Sequence, residues 1–433
     1  MCKEILFVGA RPYGEESADI AVRGNKIVAV GQDARNAVAE AEVVDVTGLV
    51  ALPGLVDLHT HLREPGQEDA ETVFTGTRAA AVGGYTCVFA MANTNPVADT
   101  ASVVEQVKML GDTAGWVEVH PIGAVTVGLE GKTLSSMSAM AKSQAEVRVF
   151  SDDGKCVADP VLMRRALEYV KTFGGVIAQH AQDPALTEGA QMNESPLSAE
   201  LGLAGWPAVA EEAIIARDVA LTDHVGSRYH VLHASTKGSV EQIREAKRRG
   251  INVTAEATPH HIFLTEEEAR SYDPRFKVNP PLRTQEDVEA LRDALEDGTI
   301  DTIGTDHAPH PLEMKDCEWQ AGAFGMIGIE TALPVLITTM VDTGRMNWRD
   351  IARVMSEKPA QIGLATEQGQ PIAAGSFANL AFVDPNVERV VENGWSRSTN
   401  NPYLGHTLKG QVMYTVYRGK ITVREGMPVQ EER

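Results

Sequence analysis

The chain has 433 residues, an apolar fraction of 43% and a formal net charge of -21. That length suits one large catalytic domain with a small accessory one, and the acidity excludes a polyanion-binding surface, so no nucleic acid is expected as a partner. No apolar run approaches bilayer length and the N-terminal residues do not read as a secretory signal, so a cytoplasmic protein is expected.

The first fifty residues alternate short β-rich runs with turns, at residues 5–9, 19–22, 26–30 and 43–46, with a hairpin signal at Gly24-Asn25. Residues 79–92 read as a helix end, broken at Gly83-Gly84, followed by a buried strand. Strand-like runs then recur at 55–58, 85–89, 117–125, 147–150, 175–178, 229–232, 251–255 and 299–303. Helical patterns lie between them. Val103, Val107 and Leu110 follow a start at Asp99-Thr100, Val240 and Ile243 lead to a stop at Gly250, and Val288, Leu291 and Leu295 follow Thr284 with Asp287 three residues on. The rhythm predicts an α/β domain over 51–365, either a (β/α)8 barrel or a doubly wound open sheet. The last stretch returns to β-rich runs at 378–384, 412–417 and 420–423. Neither terminal piece can bury a core alone, so residues 1–50 and 366–433 are expected to pair into one small β-sandwich.

Chemistry gathers where the strands stop. His59 and His61 close the first middle strand, and side chains two apart on a strand share a face. Alone, such a pair could equally be two satisfied core histidines. Four further runs stop in the same way, at Asp152-Asp153, His180, His233 and Asp306-His307. Imidazole and carboxylate are the ligand types of catalytic zinc, and the C-terminal rim of a barrel is where active sites are built. A metal site is therefore expected. The four cysteines, Cys2, Cys87, Cys156 and Cys317, lack metal-type spacing and read as free thiols.

The segments Pro53-Gly54-Leu55-Val56-Asp57-Leu58-His59-Thr60-His61-Leu62-Arg63-Glu64-Pro65-Gly66, Met91-Ala92-Asn93-Thr94-Asn95-Pro96, Phe150-Ser151-Asp152-Asp153-Gly154, His233-Ala234-Ser235-Thr236-Lys237, Val278-Asn279-Pro280-Pro281-Leu282-Arg283 and Thr305-Asp306-His307-Ala308-Pro309-His310 together resemble the class I dihydroorotases of the amidohydrolase superfamily. The likeness spans essentially the whole chain. It implies a distorted (β/α)8 barrel carrying two zinc ions, the first held by His59, His61 and Asp306 and the second by His180 and His233. Asp153 and a hydroxide would bridge them, with Asp152 as the runner-up for the bridge. Many relatives use a carbamylated lysine there, but Asp stands at this strand end and Lys155 lies past Gly154, so none is expected. The resemblance also implies that Arg63, Asn93 and His310 bind the substrate carboxylate, that Asn279 and the Phe324-Gly325 backbone hold the ring, and that His61 also meets the substrate. Two local departures from relatives are Gln182, where Glu is common, and Ala92, where Pro is common.

The activity so implied is reversible hydrolysis of dihydroorotate to N-carbamoyl-aspartate in pyrimidine synthesis, with a bridging hydroxide attacking and Asp306 shuttling the proton. A homodimer and association with aspartate carbamoyltransferase are known among relatives. The rival readings are another cyclic amidase, such as a hydantoinase, dihydropyrimidinase or allantoinase, and a non-catalytic scaffold. Residues 311–323 have little apolar periodicity and are expected to form a mobile loop over the site. His260 and His261 are expected in supporting or packing roles, and His120, His224, His230 and His406 in structural or exposed ones.

Overall fold

The computed structural model describes residues 4–429. Its middle region alternates strand and helix, and the local chemistry explains the boundaries. Thr72 and Thr75 form a reciprocal capping box before Val73–Val82, and Thr284 with Asp287 does the same before Gln285–Glu296. Asp159 caps Pro160–Lys171 by accepting from the Val161 and Leu162 N–H groups. Ala101–Ala114 and Val209–Val225 both end on left-handed glycines, Gly115 and Gly226, which close a helix without a Cβ clash.

All of the expected middle strands are present: Leu55–Thr60, Tyr85–Ala90, Glu118–Pro121, Val149–Phe150, Val176–Gln179, Tyr229–Val231, Val253–Ala257 and Thr302–Ile303. They pair in parallel, the first three in one sheet and the other five in another. Isolated parallel bridges, Gly123 to Phe150 and Thr60 to His307, link the two sheets at both edges. The first two strands are buried at every position, as parallel strands covered on both faces require. Several strands are shorter than their apolar runs. The third stops at Pro121, which has no N–H to offer a ladder.

A further sheet of nine strands draws on both ends of the chain. Its order is Met427–Pro428, Lys420–Arg424, Thr407–Tyr417, Leu380–Val390, Val50–Pro53, Glu4–Pro12, Ala18–Arg23 and Lys26–Val30, with Glu42–Asp45 pairing beside Glu4–Pro12. Gly24 (φ 58°), Arg418 (φ 49°) and Gly419 (φ 74°) take the left-handed conformation that tight hairpins require. A bridge from Lys26 to Phe377 folds the far edge back toward the middle. The sheet encloses its own core, including Ile5, Phe7, Ile20, Leu380, Phe382 and Val416. Val50–Pro53 was not anticipated as a strand; only Gly54 separates it from Leu55–Thr60. Cys87, Cys156 and Cys317 are free, and Cys2 lies outside the described residues. Among the described residues no helix is long and apolar enough to cross a membrane.

Candidate metal centre and active site

The C-terminal ends of the parallel strands deliver their polar residues to one buried point. His59 closes Leu55–Thr60 and His61 follows it, His180 follows Val176–Gln179, and Asp153, His233 and Asp306 lie two or three residues beyond their own strands. His59 Nε2 lies 3.5 Å from Asp153 Oδ1 and 3.4 Å from Asp306 Oδ1. His61 Nε2 lies 3.3 Å from Asp153 Oδ2 and 3.2 Å from Asp306 Oδ1. On the other side of Asp153, His180 Nδ1 is 3.3 Å and His233 Nε2 3.4 Å from Oδ1, and these two nitrogens are 2.8 Å apart. Two trios therefore share Asp153: His59 and His61 on one side, His180 and His233 on the other, with the ligand atoms of each trio within 4.8 Å of one another. Two of the residues, His233 (φ 31°) and Asp306 (φ 46°), hold positive φ values that side-chain-bearing residues seldom adopt, strain of the kind found at functional sites.

The electrostatics fit a bound divalent metal. His59 Nε2 is buried without a hydrogen-bond partner. Burial alone would raise the Asp153 and Asp306 carboxyls. His59, His180 and His233 instead hold Asp153 well below its usual range, and His59, His61 and His233 do the same for Asp306. In turn burial favours neutral His59, but Asp153, Asp306 and Glu256 raise it well above the ordinary imidazole value. Four imidazoles and two carboxylates facing one another make a set of donors suited to a divalent metal. The runner-up for the bridge, Asp152, is turned away: it accepts from Val125 N at 2.8 Å, Thr126 N at 3.0 Å and the Thr126 hydroxyl. Lys155 is exposed and its N–H donates to Asp152 O, so its place is outside the cluster.

The residues expected to hold substrate surround this point. Arg63 is buried with positive φ (63°), and its Nε donates to Pro309 O at 3.0 Å. Burial lowers its guanidinium to about 10 while Asp306 and Asp153 act the other way, so it stays charged at neutral pH. Asn93 Oδ1 is 2.9 Å from His61 Nδ1. His310 Nε2 lies 2.8 Å from Phe324 O, and burial with Arg63 nearby pushes His310 down to about 3, which keeps it neutral. The Gly325 N–H donates to Lys277 O at 3.0 Å and its carbonyl accepts from Asn400, so both backbone groups have partners within the protein. A Cβ at Gly325 would come within 2.7 Å of His310 Nε2, and its φ of 145° disfavours one too. Asn279 Nδ2 donates to Gln182 Oε1 at 3.0 Å.

Some supporting residues escaped the sequence reading. Glu256, on Val253–Ala257, sets its Oε1 2.5 Å from His59 Nδ1 and its Oε2 3.3 Å from His230 Nε2, fixing which His59 nitrogen faces the metal side. A Cβ at Gly304 would lie 2.4 Å from Glu256 Oε2, so the glycine makes room for that carboxylate. Asp57 accepts from the His59 and Thr305 N–H groups and from the Thr60 and Thr305 hydroxyls, tying the first and last parallel strands together. A lone carboxylate inside each apolar run was the available signal. The segment 311–323, expected to be mobile, carries anchors: Lys315 Nζ donates to the carbonyls of Pro274, Lys277 and Ala323, and Trp319 is buried.

Strand-end histidines and aspartates, drawn together on parallel strands, define the class of metal-dependent amidohydrolases. A family model described as "Dihydro-orotase-like" matches residues 48–239. The chain is 62% identical over 423 residues to a dihydroorotase of Leifsonia xyli, covering 97% of this chain and 96% of that protein. It is 63% identical to one of Streptomyces coelicolor (97% and 98% covered) and 52% identical to one of Mycobacterium tuberculosis (98% and 99%). Among solved structures, the L-hydantoinase (dihydropyrimidinase) of Arthrobacter aurescens matches with a TM-score of 0.87 and 26% identity, over 100% of this chain and 98% of that one. The chain belongs to the dihydroorotase family.

Proposed function

We propose that this chain is a dihydroorotase, hydrolysing the cyclic amide of (S)-dihydroorotate to N-carbamoyl-L-aspartate, and the reverse, in the route to UMP. The observation that carries this is the buried guanidinium of Arg63, close enough to feel the charges of Asp153 and Asp306. An acidic ring must be gripped at its carboxylate beside the metals, and Arg's planar fork suits that task. Asn93 and neutral His310 complete the carboxylate pocket, and Asn279 with Phe324 and Gly325 holds the ring. A hydantoinase would turn over uncharged rings and has no need of that buried cation.

The same reading takes the two bridged parallel sheets as one distorted (β/α)8 barrel, supported by the bridges at both edges. It divides the chain into a small β-sandwich (1–50 with 366–433) and the catalytic barrel (51–365). Two zinc ions would be held by His59, His61 and Asp306 and by His180 and His233, with Asp153 between them and no carbamylated lysine. The chemistry such metal would supply is a lowered pKa for a bound water and polarisation of the ring carbonyl. Asp306 takes the proton from the attacking water and delivers it to the ring nitrogen as the carbon–nitrogen bond breaks. In reverse, Asp306 removes a proton from the carbamoyl nitrogen, and water leaves on closure. A cytoplasmic homodimer, associating with aspartate carbamoyltransferase, completes the proposal, and sizing of the purified protein with and without that enzyme tests it.

The deciding experiment follows dihydroorotate absorbance with purified enzyme beside a panel of hydantoin, dihydrouracil and allantoin. Turnover confined to dihydroorotate, lost on chelation and restored by zinc, is expected. Faster turnover of an uncharged ring would overturn the assignment.

A further inference from the structure

One oxygen atom in the site serves two masters. Gln182 Oε1 lies 2.7 Å from His180 Nε2 and accepts from Asn279 Nδ2 at 3.0 Å. At the other end of the amide, Gln182 Nε2 donates to Thr187 Oγ1 at 2.7 Å, and Thr187 Oγ1 donates to Asp183 O at 2.9 Å.

This chain of bonds has only one consistent direction. Thr187 spends its single proton on the Asp183 carbonyl, so its oxygen can only accept from Gln182. The Gln182 nitrogen must therefore face Thr187, and its oxygen must face His180. That oxygen has no proton to give, so His180 carries its proton on Nε2. Nδ1 is then the nitrogen that faces Asp153 and His233. The second lone pair of the same oxygen takes a proton from the Asn279 amide, which turns Asn279 Oδ1 the other way. That atom is buried and has no partner. A buried, unanswered acceptor costs stability unless a ligand answers it, and a ring N–H would.

We propose that Gln182 is a positioning residue that sets two things through one atom: the tautomer of the metal ligand His180, and the outward acceptor face of Asn279. The site then demands a cyclic ureide with a free N–H at Asn279. Resting on the dihydroorotase reading, this adds why the ring is held in one orientation and why His180 presents Nδ1 to the metal side. Neither effect requires Gln182 to touch substrate or metal. The anchor is Thr187.

The tautomer is read directly. In protein labelled with 15N histidine and loaded with zinc, His180 should show its proton on Nε2, a signal that does not depend on activity. Gln182→Leu removes both acceptor contacts. It should lose zinc to a chelator roughly 10- to 100-fold faster, the usual cost of a lost ligand-orienting partner, and raise KM for dihydroorotate about tenfold or more. Gln182→Glu restores an acceptor and should recover zinc retention. Thr187→Val leaves Gln182 in place but unanchored, and should shift both readouts in the same direction as Gln182→Leu. Of the two ring-N-methylated dihydroorotates, at least one should inhibit the wild type about 10- to 100-fold more weakly than the parent ring binds, with the gap narrowed in Gln182→Leu. Circular dichroism keeps each variant's fold in view. A His180 proton on Nδ1, or a folded Gln182→Leu with wild-type zinc retention and KM, overturns the proposal. Failure of the dihydroorotase reading shows separately, as a wild type that leaves dihydroorotate untouched.

Discussion

At the scale of single residues, the strongest demand falls on Asp306, whose carboxylate lies within 3.4 Å of both His59 and His61. If it carries the proton in both directions, Asp306→Asn should lower kcat by about 10²- to 10⁴-fold or more in hydrolysis and in ring closure alike. Zinc content measured beside the rate separates loss of the shuttle from loss of a ligand. Arg63→Lys keeps a positive charge but loses the planar fork, and should raise KM for dihydroorotate at least about tenfold with a smaller change in kcat. The cluster itself was legible in the sequence because its members end strands and are of ligand type. Glu256 and Asp57 were not read, since a carboxylate within an apolar strand carries no hint of which imidazole or amide it meets. Their partners, His59 and Thr305, come from distant points in the chain and are paired only by the fold.

Among elements, strand positions were readable and strand lengths were not. Residues 117–125 looked like one long strand, but Pro121 cuts the ladder and Gly123 resumes it as a lone bridge. Val50–Pro53 escaped notice because it is short and ends in proline, and its pairing with Leu380–Val390 supplies what its own sequence lacks. Where the third parallel strand meets the terminal sheet, Glu118 accepts from Gln368 at 2.7 Å and sits 3.3 Å from His120 and 3.6 Å from Arg418. Burial pushes its carboxyl up, but His120, Gln368 and Arg418 outweigh it and hold Glu118 at about 2, against an ordinary 4.5. Because the folded value lies below the unfolded one, the stabilisation is complete above pH 4.5 and disappears as pH falls toward 2. It is worth about 3 kcal/mol. Denaturant unfolding at pH 6 and pH 3 should show Glu118→Gln losing less stability on acidification than the wild type. Equal acid sensitivity would show that Glu118 is not the group responsible. At a helix start, Thr284→Ala removes the cap over the Asp287 N–H and should cost about 1 kcal/mol without changing turnover.

For the whole molecule, the metal centre is also a keystone. His59, His61, Asp153, His180, His233 and Asp306 come from strand ends spread over the parallel sheets, all at most 5% exposed. A divalent metal that binds this arrangement and not the unfolded chain must stabilise it by mass action. Chelated protein should therefore melt several degrees lower by calorimetry and recover on addition of zinc. An unchanged melting temperature would mean that the cluster assembles without help from metal. The overall alternation of strand and helix was visible from hydrophobic runs and caps, whereas open sheet against closed ring was not. Two single-residue bridges, Gly123 to Phe150 and Thr60 to His307, join the two parallel sheets, and no periodicity encodes them.

The strand Val50–Pro53 lies between Glu4–Pro12 and Leu380–Val390, one residue upstream of the strand that carries His59. During translation the two outer partners emerge almost a whole chain apart. Until the ribosome has made the last tenth or so of the protein, the early segments wait with an open hydrogen-bonding edge, vulnerable to pairing with a neighbour on the same polysome. A ribosome stalled near residue 375 should therefore leave a chain that clumps.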